Sequence, residues 1–106
     1  MKENDMERRA KPRIHCKYPA IVRGIDLQGG KFEENAVLAN LSASGVYVLV
    51  NRSVVQGSKL SLAFRFSSTP SAQVPAVVAR GVVVRSDRNA DGTHGLGVKF
   101  ERYRVL

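Results

Sequence analysis

The sequence has no tryptophan, one cysteine, two histidines and no long apolar run. The single Cys16 cannot form an internal disulfide, which is typical of a reducing compartment, and its strand-like surroundings predict a packing role. His15 and His94 lie far apart, and no Cys/His cluster has the spacing of zinc ligands. No stretch approaches the roughly 20 apolar residues of a membrane-spanning helix, and the polar residues 1–7 are unlike a secretory signal. We therefore expect a cytoplasmic protein without membrane insertion.

What the chain has in excess is positive charge. Its 106 residues, enough for one domain with a modest core, carry 17 Lys and Arg against 9 Asp and Glu, a net charge of +8. A dense basic cluster runs from Arg8 to Lys17 without an acidic residue. This balance predicts an anionic partner, such as nucleic acid, a membrane surface or a phosphate-bearing ligand.

Short apolar runs between turn signals predict an all-β chain. In Lys59–Phe66 and in Val46–Val50, apolar side chains recur at every second position, which places one face of each strand inward. The pattern favours an antiparallel barrel or sandwich of about six strands. The remaining predicted strands are Ile14–Arg23, a short one at Ala36–Ala39, Val74–Arg85 with a bend at Gly81, and Leu96–Phe100; the tail Glu101–Leu106 is too short for more than one helical turn.

The first candidate binding element is the basic stretch that contains Arg8, Arg9 and Arg13. A guanidinium group donates two parallel hydrogen bonds to a phosphate or to the O6/N7 edge of guanine, and it stacks on flat rings. Pro12 disfavours a helix here and favours an extended arm. Taken alone, the stretch is more typical of a solvated basic tail than of a binding element.

The second candidate element is the loop from Asn40 to Gly45. Asn40, Ser42 and Ser44 have side chains that bond to nearby backbone groups in turns. Gly45 permits a positive φ or a close backbone approach. Taken alone, the loop is also compatible with an ordinary hairpin turn.

In combination, the two elements resemble the PilZ family of bacterial cyclic di-GMP receptors. The family carries Arg-x-x-x-Arg on an N-terminal arm, matched here by Arg9 and Arg13, and Asp/Asn-x-Ser-x-x-Gly on the barrel, matched by Asn40, Ser42 and Gly45. The order agrees, with 27 positions between Arg13 and Asn40. Further stretches resemble the family's strands at Gly45–Val48, Val55–Leu60 and Gly95–Phe100. Asn in place of the more frequent Asp, Ser44 in place of a frequent glycine, and the lack of a C-terminal helix are departures.

The resemblance implies a six-stranded antiparallel β-barrel over residues 14–106, with residues 1–13 as a flexible arm. It implies cyclic di-GMP as the ligand, no cofactor, no metal and no catalytic residue. Arg9 and Arg13 would contact guanine edges and phosphates, Asn40 and Ser42 the guanine and its sugar, and Gly45 would keep the loop in shape. Arg8 occupies the position found in members that bind a stacked pair of ligands, which implies two molecules per chain, with one as the alternative.

The resemblance also implies a receptor that changes conformation and regulates an effector protein in motility, biofilm or virulence control. One alternative is an interaction module of the same fold that binds no nucleotide. Another is a basic barrel that binds single-stranded nucleic acid, but such barrels present aromatic platforms, and only Tyr18, Tyr47 and Tyr103 are candidates here. An enzyme is disfavoured, since no catalytic pair of carboxylates, nucleophile–base set or phosphate-binding glycine loop is present.

Overall fold

The computed structural model describes residues 14–26, 28–65 and 76–106, and these form six antiparallel strands. The strands close into a barrel in the order β1-β2-β3-β6-β5-β4, which confirms the predicted fold class. Closure leaves no free sheet edge along the paired segments, so a small sheet avoids edge-to-edge association. The strands are β1 (Ile14–Ile25), β2 (Lys31–Leu41), β3 (Gly45–Val50), β4 (Lys59–Arg65), β5 (Ala76–Arg88) and β6 (His94–Val105).

The barrel interior is filled by one apolar cluster. In β4, Leu60, Leu62 and Phe64 are buried while Lys59 and Arg65 are exposed, as the period of two predicts. Among the described residues, no polar or charged residue is buried as a whole. The cluster is dominated by branched aliphatic residues, including Val22, Leu38, Val48, Val83, Leu96 and Val98.

Two strands are longer than their sequence pattern predicts. β2 begins at Lys31 rather than Ala36, and β6 continues through the tail to Val105. Residues 31–35 have low intrinsic strand preference, but they pair with residues 21–25 of β1. The tail pairs with the first residues of β5, from Val77↔Val105 to Arg80↔Arg102. In both places long-range pairing overrides local preference, as it often does in sheets.

The predicted bend at Gly81 is present as a register shift between Arg80 and Gly81 in the β5–β6 ladder. A Cβ at Gly81 would come within 2.6 Å of the Val98 side chain, so the close approach of the two strands requires glycine there. The predicted start of this strand, at Val74 and Pro75, lies outside the described residues, as does the side chain of Cys16.

A polar clip, formed by Asp26, Glu34 and Arg52, lies beside the β1–β2 turn. Asp26 accepts hydrogen bonds from the backbone N–H groups of Gln28 (3.0 Å) and Gly30 (2.9 Å). Arg52, in the turn after β3, donates to Glu34 (2.9 Å) and Asp26 (3.4 Å) and lies 5.1 Å above the ring of Phe32. The clip therefore ties three separate segments together at the surface.

None of the residues in the described ranges forms a helix that could cross a lipid bilayer.

Candidate functional site

A surface depression of about 290 Å³ lies where the β2–β3 loop meets β5 and β6. Its polar lining comes from Asn40, Ser42 and Ser44 on the loop side, and its cationic lining from Arg85 and Lys99. The apolar lining is Leu41, Val46, Val84 and Val98. A concave site with an apolar floor and a few polar groups is typical of small-molecule binding sites.

The loop is held by its own serine side chains and by β6. The Ser42 N–H donates to the carbonyl of Gly45 (2.9 Å), and the Ser42 hydroxyl donates to the same oxygen (3.3 Å). The Ser42 hydroxyl also accepts from the Ser44 N–H (3.3 Å). The Ser44 carbonyl accepts from the Phe100 N–H (2.8 Å), which fastens the loop to β6. The loop is thus a preformed turn on the wall of the depression.

Asn40 has a buried polar atom without a partner. A bulge shifts the β2–β3 register between Leu38 and Asn40, so that Asn40 pairs with Tyr47. Bulges re-aim side chains beside functional sites. The side-chain carbonyl oxygen of Asn40 is buried and accepts no hydrogen bond from the residues that the structure describes. Leaving such an acceptor unpaired costs about 1–3 kcal/mol, so a donor from a bound molecule would stabilise it.

Gly45 is required by strand packing. Its φ lies outside the left-handed region, so of the two properties expected of this glycine, a positive φ is not used. A Cβ at this position would overlap the carbonyl oxygen of Val98 and lie 3.2 Å from its carbonyl carbon and 3.3 Å from the Cα of Lys99. The glycine therefore lets β3 approach β6 closely at the depression.

Tyr47 and Arg85 line one wall of the depression, and both contact Asp87. The Tyr47 hydroxyl donates to a carboxylate oxygen of Asp87 (3.2 Å), and the Arg85 Nε lies 2.8 Å from the same oxygen. Burial raises the pKa of Tyr47, and the hydrogen bond and negative charge of Asp87 raise this pKa further. Tyr47 lies directly over Gly95, where any Cβ would collide with its ring and hydroxyl. The wall is therefore a fixed polar group in which Asp87 partly neutralises Arg85.

The comparisons with known proteins give the family. The profile of the PilZ domain matches residues 7–105, nearly the whole chain. The chain belongs to the PilZ family. No curated protein matches the sequence at the level that marks a relative.

The PilZ fold also appears in a similar solved structure. The structure of the Bacillus subtilis inhibitor of motility, MotI/DgrA, matches with a TM-score of 0.69 at 18% sequence identity. The match covers 92% of this chain and 44% of that protein, so this chain spans less than half of its length. At this identity the similarity supports the shared barrel.

The PilZ barrel brings three of the predicted ligand residues to one place. Asn40 and Ser42 line the depression, and Gly45 lies at its edge, where β3 begins. Arg8, Arg9 and Arg13, the other predicted contacts, lie outside the described residues.

Sequence reasoning did not find the cationic side of the depression. Arg85 and Lys99 come from β5 and β6, at least 40 residues after the Asn40 loop, and each lies in an ordinary strand pattern. From the sequence, Tyr47 is a candidate only as a platform for nucleic acid. Its partner Asp87 is 40 residues away, and no local signal links the two. Among the described side chains, no three of the His, Cys, Asp and Glu residues are grouped to hold a metal ion.

Proposed function

We propose that this PilZ chain is a receptor for cyclic di-GMP that regulates an effector protein in the cytoplasm. The observation that carries the proposal is the buried, unpaired carbonyl oxygen of Asn40 beside the depression. The guanine base offers N–H donors on its Watson–Crick edge, and one of these would satisfy that oxygen. Family membership supports the same ligand, since the PilZ match includes both polar elements.

The cations of the depression suit a phosphodiester. Lys99 is exposed at its rim, and Arg85 is partly neutralised by Asp87. Cyclic di-GMP is a dianion, and each ionic hydrogen bond to a phosphate is about twice as strong as a neutral one. Arg85 and Lys99 would therefore add to the charge supplied by the N-terminal arginines.

The start of β1 supports a role for the arm of residues 1–13. Ile14 pairs with Leu41, and His15 pairs with Asn40, so the barrel begins next to the Asn40 loop. Arg13 is joined covalently to Ile14, and Arg9 lies four residues before Arg13. In the proposal, Arg9 and Arg13 contact guanine edges and phosphates, and Arg8 stacks on a base or binds a second ligand molecule. Ligand binding would order the arm over the depression and change the surface presented to the effector.

The affinity follows from these contacts. A bidentate arginine–guanine contact contributes about 1–3 kcal/mol. Two or three such contacts, with stacking and the Asn40 hydrogen bond, bring the binding free energy near −8 kcal/mol, a Kd of about 1 μM. This range suits a receptor that releases its ligand when the signal falls. Motility, biofilm and virulence control are the processes that family membership favours for the effector.

Calorimetric titration of the purified chain with cyclic di-GMP tests the proposal. We expect saturable binding near micromolar Kd, with no comparable binding of GMP or cyclic di-AMP. Arg9→Ala, Arg13→Ala and Asn40→Ala should each weaken binding by about 10-fold or more. Arg88→Ala, which removes an exposed cation at the C-terminal end of β5 that does not line the depression, is the matched control and should bind like the parent.

The stoichiometry of the titration distinguishes one ligand molecule from two. If the parent binds two ligand molecules per chain and Arg8→Ala binds one, the guanidinium of Arg8 is needed for the second molecule. A folded parent chain that binds no cyclic di-GMP would reject the receptor function, and an interaction module without a nucleotide would then be the better account.

A further inference from the structure

The outer surface of the barrel carries a row of aligned residues across four strands. Arg23 of β1 pairs with Ser61 of β4, Ser61 pairs with Arg80 of β5, and Arg80 pairs with Arg102 of β6. Directly opposed residues of paired strands point to the same side of a sheet. The three arginines are exposed, whereas the preceding residues Val22 and Ala79 are buried. The row therefore lies on the outside.

Most of this positive charge is not neutralised. Glu33 pairs with Arg23 at one end of the row. Within the described part of the chain, Arg80, Arg102 and the nearby Arg104 make no ion pair. Arg80 and Arg102 are directly opposite each other, and like charges in that position destabilise a sheet. A local arrangement that opposes stability without a compensating contact is typical of a functional surface.

An apolar row lies beside the arginines. Ile21 pairs with Ala63, Ala63 pairs with Val78, and Val78 pairs with Arg104. Ile21 is 42% exposed, and Ala63 and Val78 are half-buried. Apolar and cationic residues thus alternate by row on one outer surface. This composition is complementary to a protein partner in which carboxylates surround apolar side chains.

The same surface lacks what single-stranded nucleic acid requires. Binding of unpaired bases uses aromatic platforms on the exposed face of a sheet. On the described strands, Phe32 and Phe64 are buried in the core, and Phe100 packs against it. Tyr103 is 55% exposed, but it pairs with buried Ala79 and therefore lies on the opposite side of the sheet from Arg80 and Arg102, with its ring 5.5 Å from that of Phe100. The described outer rows contain no aromatic ring, which favours a protein over an oligonucleotide.

We propose that this surface, the arginine face (Arg80, Arg102, Arg104, Ile21, Ala63 and Val78), docks an acidic protein segment that carries apolar side chains. It shares no residue with the lining of the Asn40 depression. A partner and a nucleotide therefore bind at the same time without competing for side chains. The docking surface does not depend on the proposed nucleotide function and is tested in the absence of nucleotide.

The variant Arg80→Glu tests docking without destabilising the fold, so a loss of docking in this variant is not caused by unfolding. The substitution replaces a repulsive pair with an attractive one opposite Arg102, so the Tm should rise by about 1–8 °C while docking is lost. Arg88→Glu makes the same charge change at an exposed arginine outside the arginine face, and it is the matched control. The double variant Arg80→Glu/Arg102→Glu restores like charges, so it should lose the gain in Tm and still fail to dock.

The probe is a synthetic peptide rich in glutamate and leucine, titrated into the ¹⁵N-labelled chain at physiological salt. We expect saturable amide shifts on the strands that carry Ile21, Ala63, Val78, Arg80 and Arg102. A peptide of equal charge with serine in place of leucine should bind about 5-fold more weakly, because it lacks apolar contacts. Arg80→Glu should weaken binding by about 10-fold, and Arg88→Glu by less than about 2-fold.

Three outcomes would overturn the docking surface: no saturable binding of the leucine peptide, equal losses in Arg80→Glu and Arg88→Glu, or tighter binding of oligothymidine than of the peptide at these strands. The last would assign the face to nucleic acid. The titration is repeated with cyclic di-GMP present, which tests peptide docking and nucleotide binding separately. If the nucleotide does not bind, the peptide result obtained without it still stands.

Discussion

Replacing Gly45 with alanine should disrupt the contact between β3 and β6 and the depression beside it. The added Cβ would overlap the carbonyl oxygen of Val98 and lie 3.2 Å and 3.3 Å from two further backbone carbons of β6. Backbone atoms do not rotate away as a flexible side chain does, so the strands must separate. The six register pairs from Gly45↔Lys99 to Val50↔His94 link these strands, and the first of them would be strained.

The expected loss of stability is that of an overpacked core position, about 1–3 kcal/mol. For a domain of this size, each kcal/mol lowers the Tm by roughly 4–8 °C. Thermal unfolding followed by far-ultraviolet circular dichroism measures this loss, and urea unfolding at constant temperature gives the free energy. Under the proposed function, cyclic di-GMP affinity should fall as well, because the carbonyl of Gly45 accepts from both the N–H and the hydroxyl of Ser42.

Gly30→Ala is the control. Its φ is outside the left-handed region, and its added Cβ meets nothing closer than the Asp26 carboxylate at 3.5 Å. This variant should unfold within about 0.5 kcal/mol of the parent, as surface substitutions usually do. If Gly45→Ala were equally neutral, the requirement for glycine at the β3–β6 contact would be refuted.

Asp87→Asn should lower the pKa of Tyr47, measured by nuclear magnetic resonance titration of its ring, because burial remains but the hydrogen bond to the carboxylate and its negative charge are lost. Because the pKa of Tyr47 is higher in the folded state, its contribution to stability is complete below pH about 10, the pKa in the unfolded chain. That contribution is lost as the pH rises through the folded pKa. If Asp87→Asn were more stable than the parent at alkaline pH, this direction would be contradicted. Leu62 is 1% exposed, so Leu62→Ala should lower the free energy of unfolding in urea by about 2–5 kcal/mol. A loss under about 1 kcal/mol would show that the core collapses around the cavity. Arg52→Ala should lower the free energy of unfolding by about 1 kcal/mol, because its two ion pairs are partly exposed and it contacts one ring. The loss should be smaller in high salt, which screens the ion pairs. A Tm at low salt that is unchanged, like that of Arg88→Ala, would show that the clip does not stabilise the fold.

The strands with a strict period of two were predictable, because alternation of apolar and polar residues reflects a sheet with one face inward. Leu60, Leu62 and Phe64 of β4, and Val46 and Val48 of β3, are buried as this alternation requires. The first half of β2 and the last half of β6 were not predictable. Their residues are charged or mixed, and their strand conformation comes from pairing with β1 and β5.

The loop side of the site was predictable for a similar reason. Asn40, Ser42 and Gly45 lie within one six-residue motif, and turn chemistry together with the family resemblance indicates them. That motif could not reveal the bulge that leaves the Asn40 oxygen buried without a donor, nor that Gly45 is needed because Val98 lies against it.

The sequence by itself therefore determined the all-β class, the inward faces of β3 and β4 and the polar turn, because each depends on residues within a few positions of one another. Only the tertiary structure decided that Arg85 and Lys99 lie beside Asn40 and that Arg80 faces Arg102. Those neighbours are set by barrel closure and strand register, and a shift of one residue in register would turn each side chain to the opposite face.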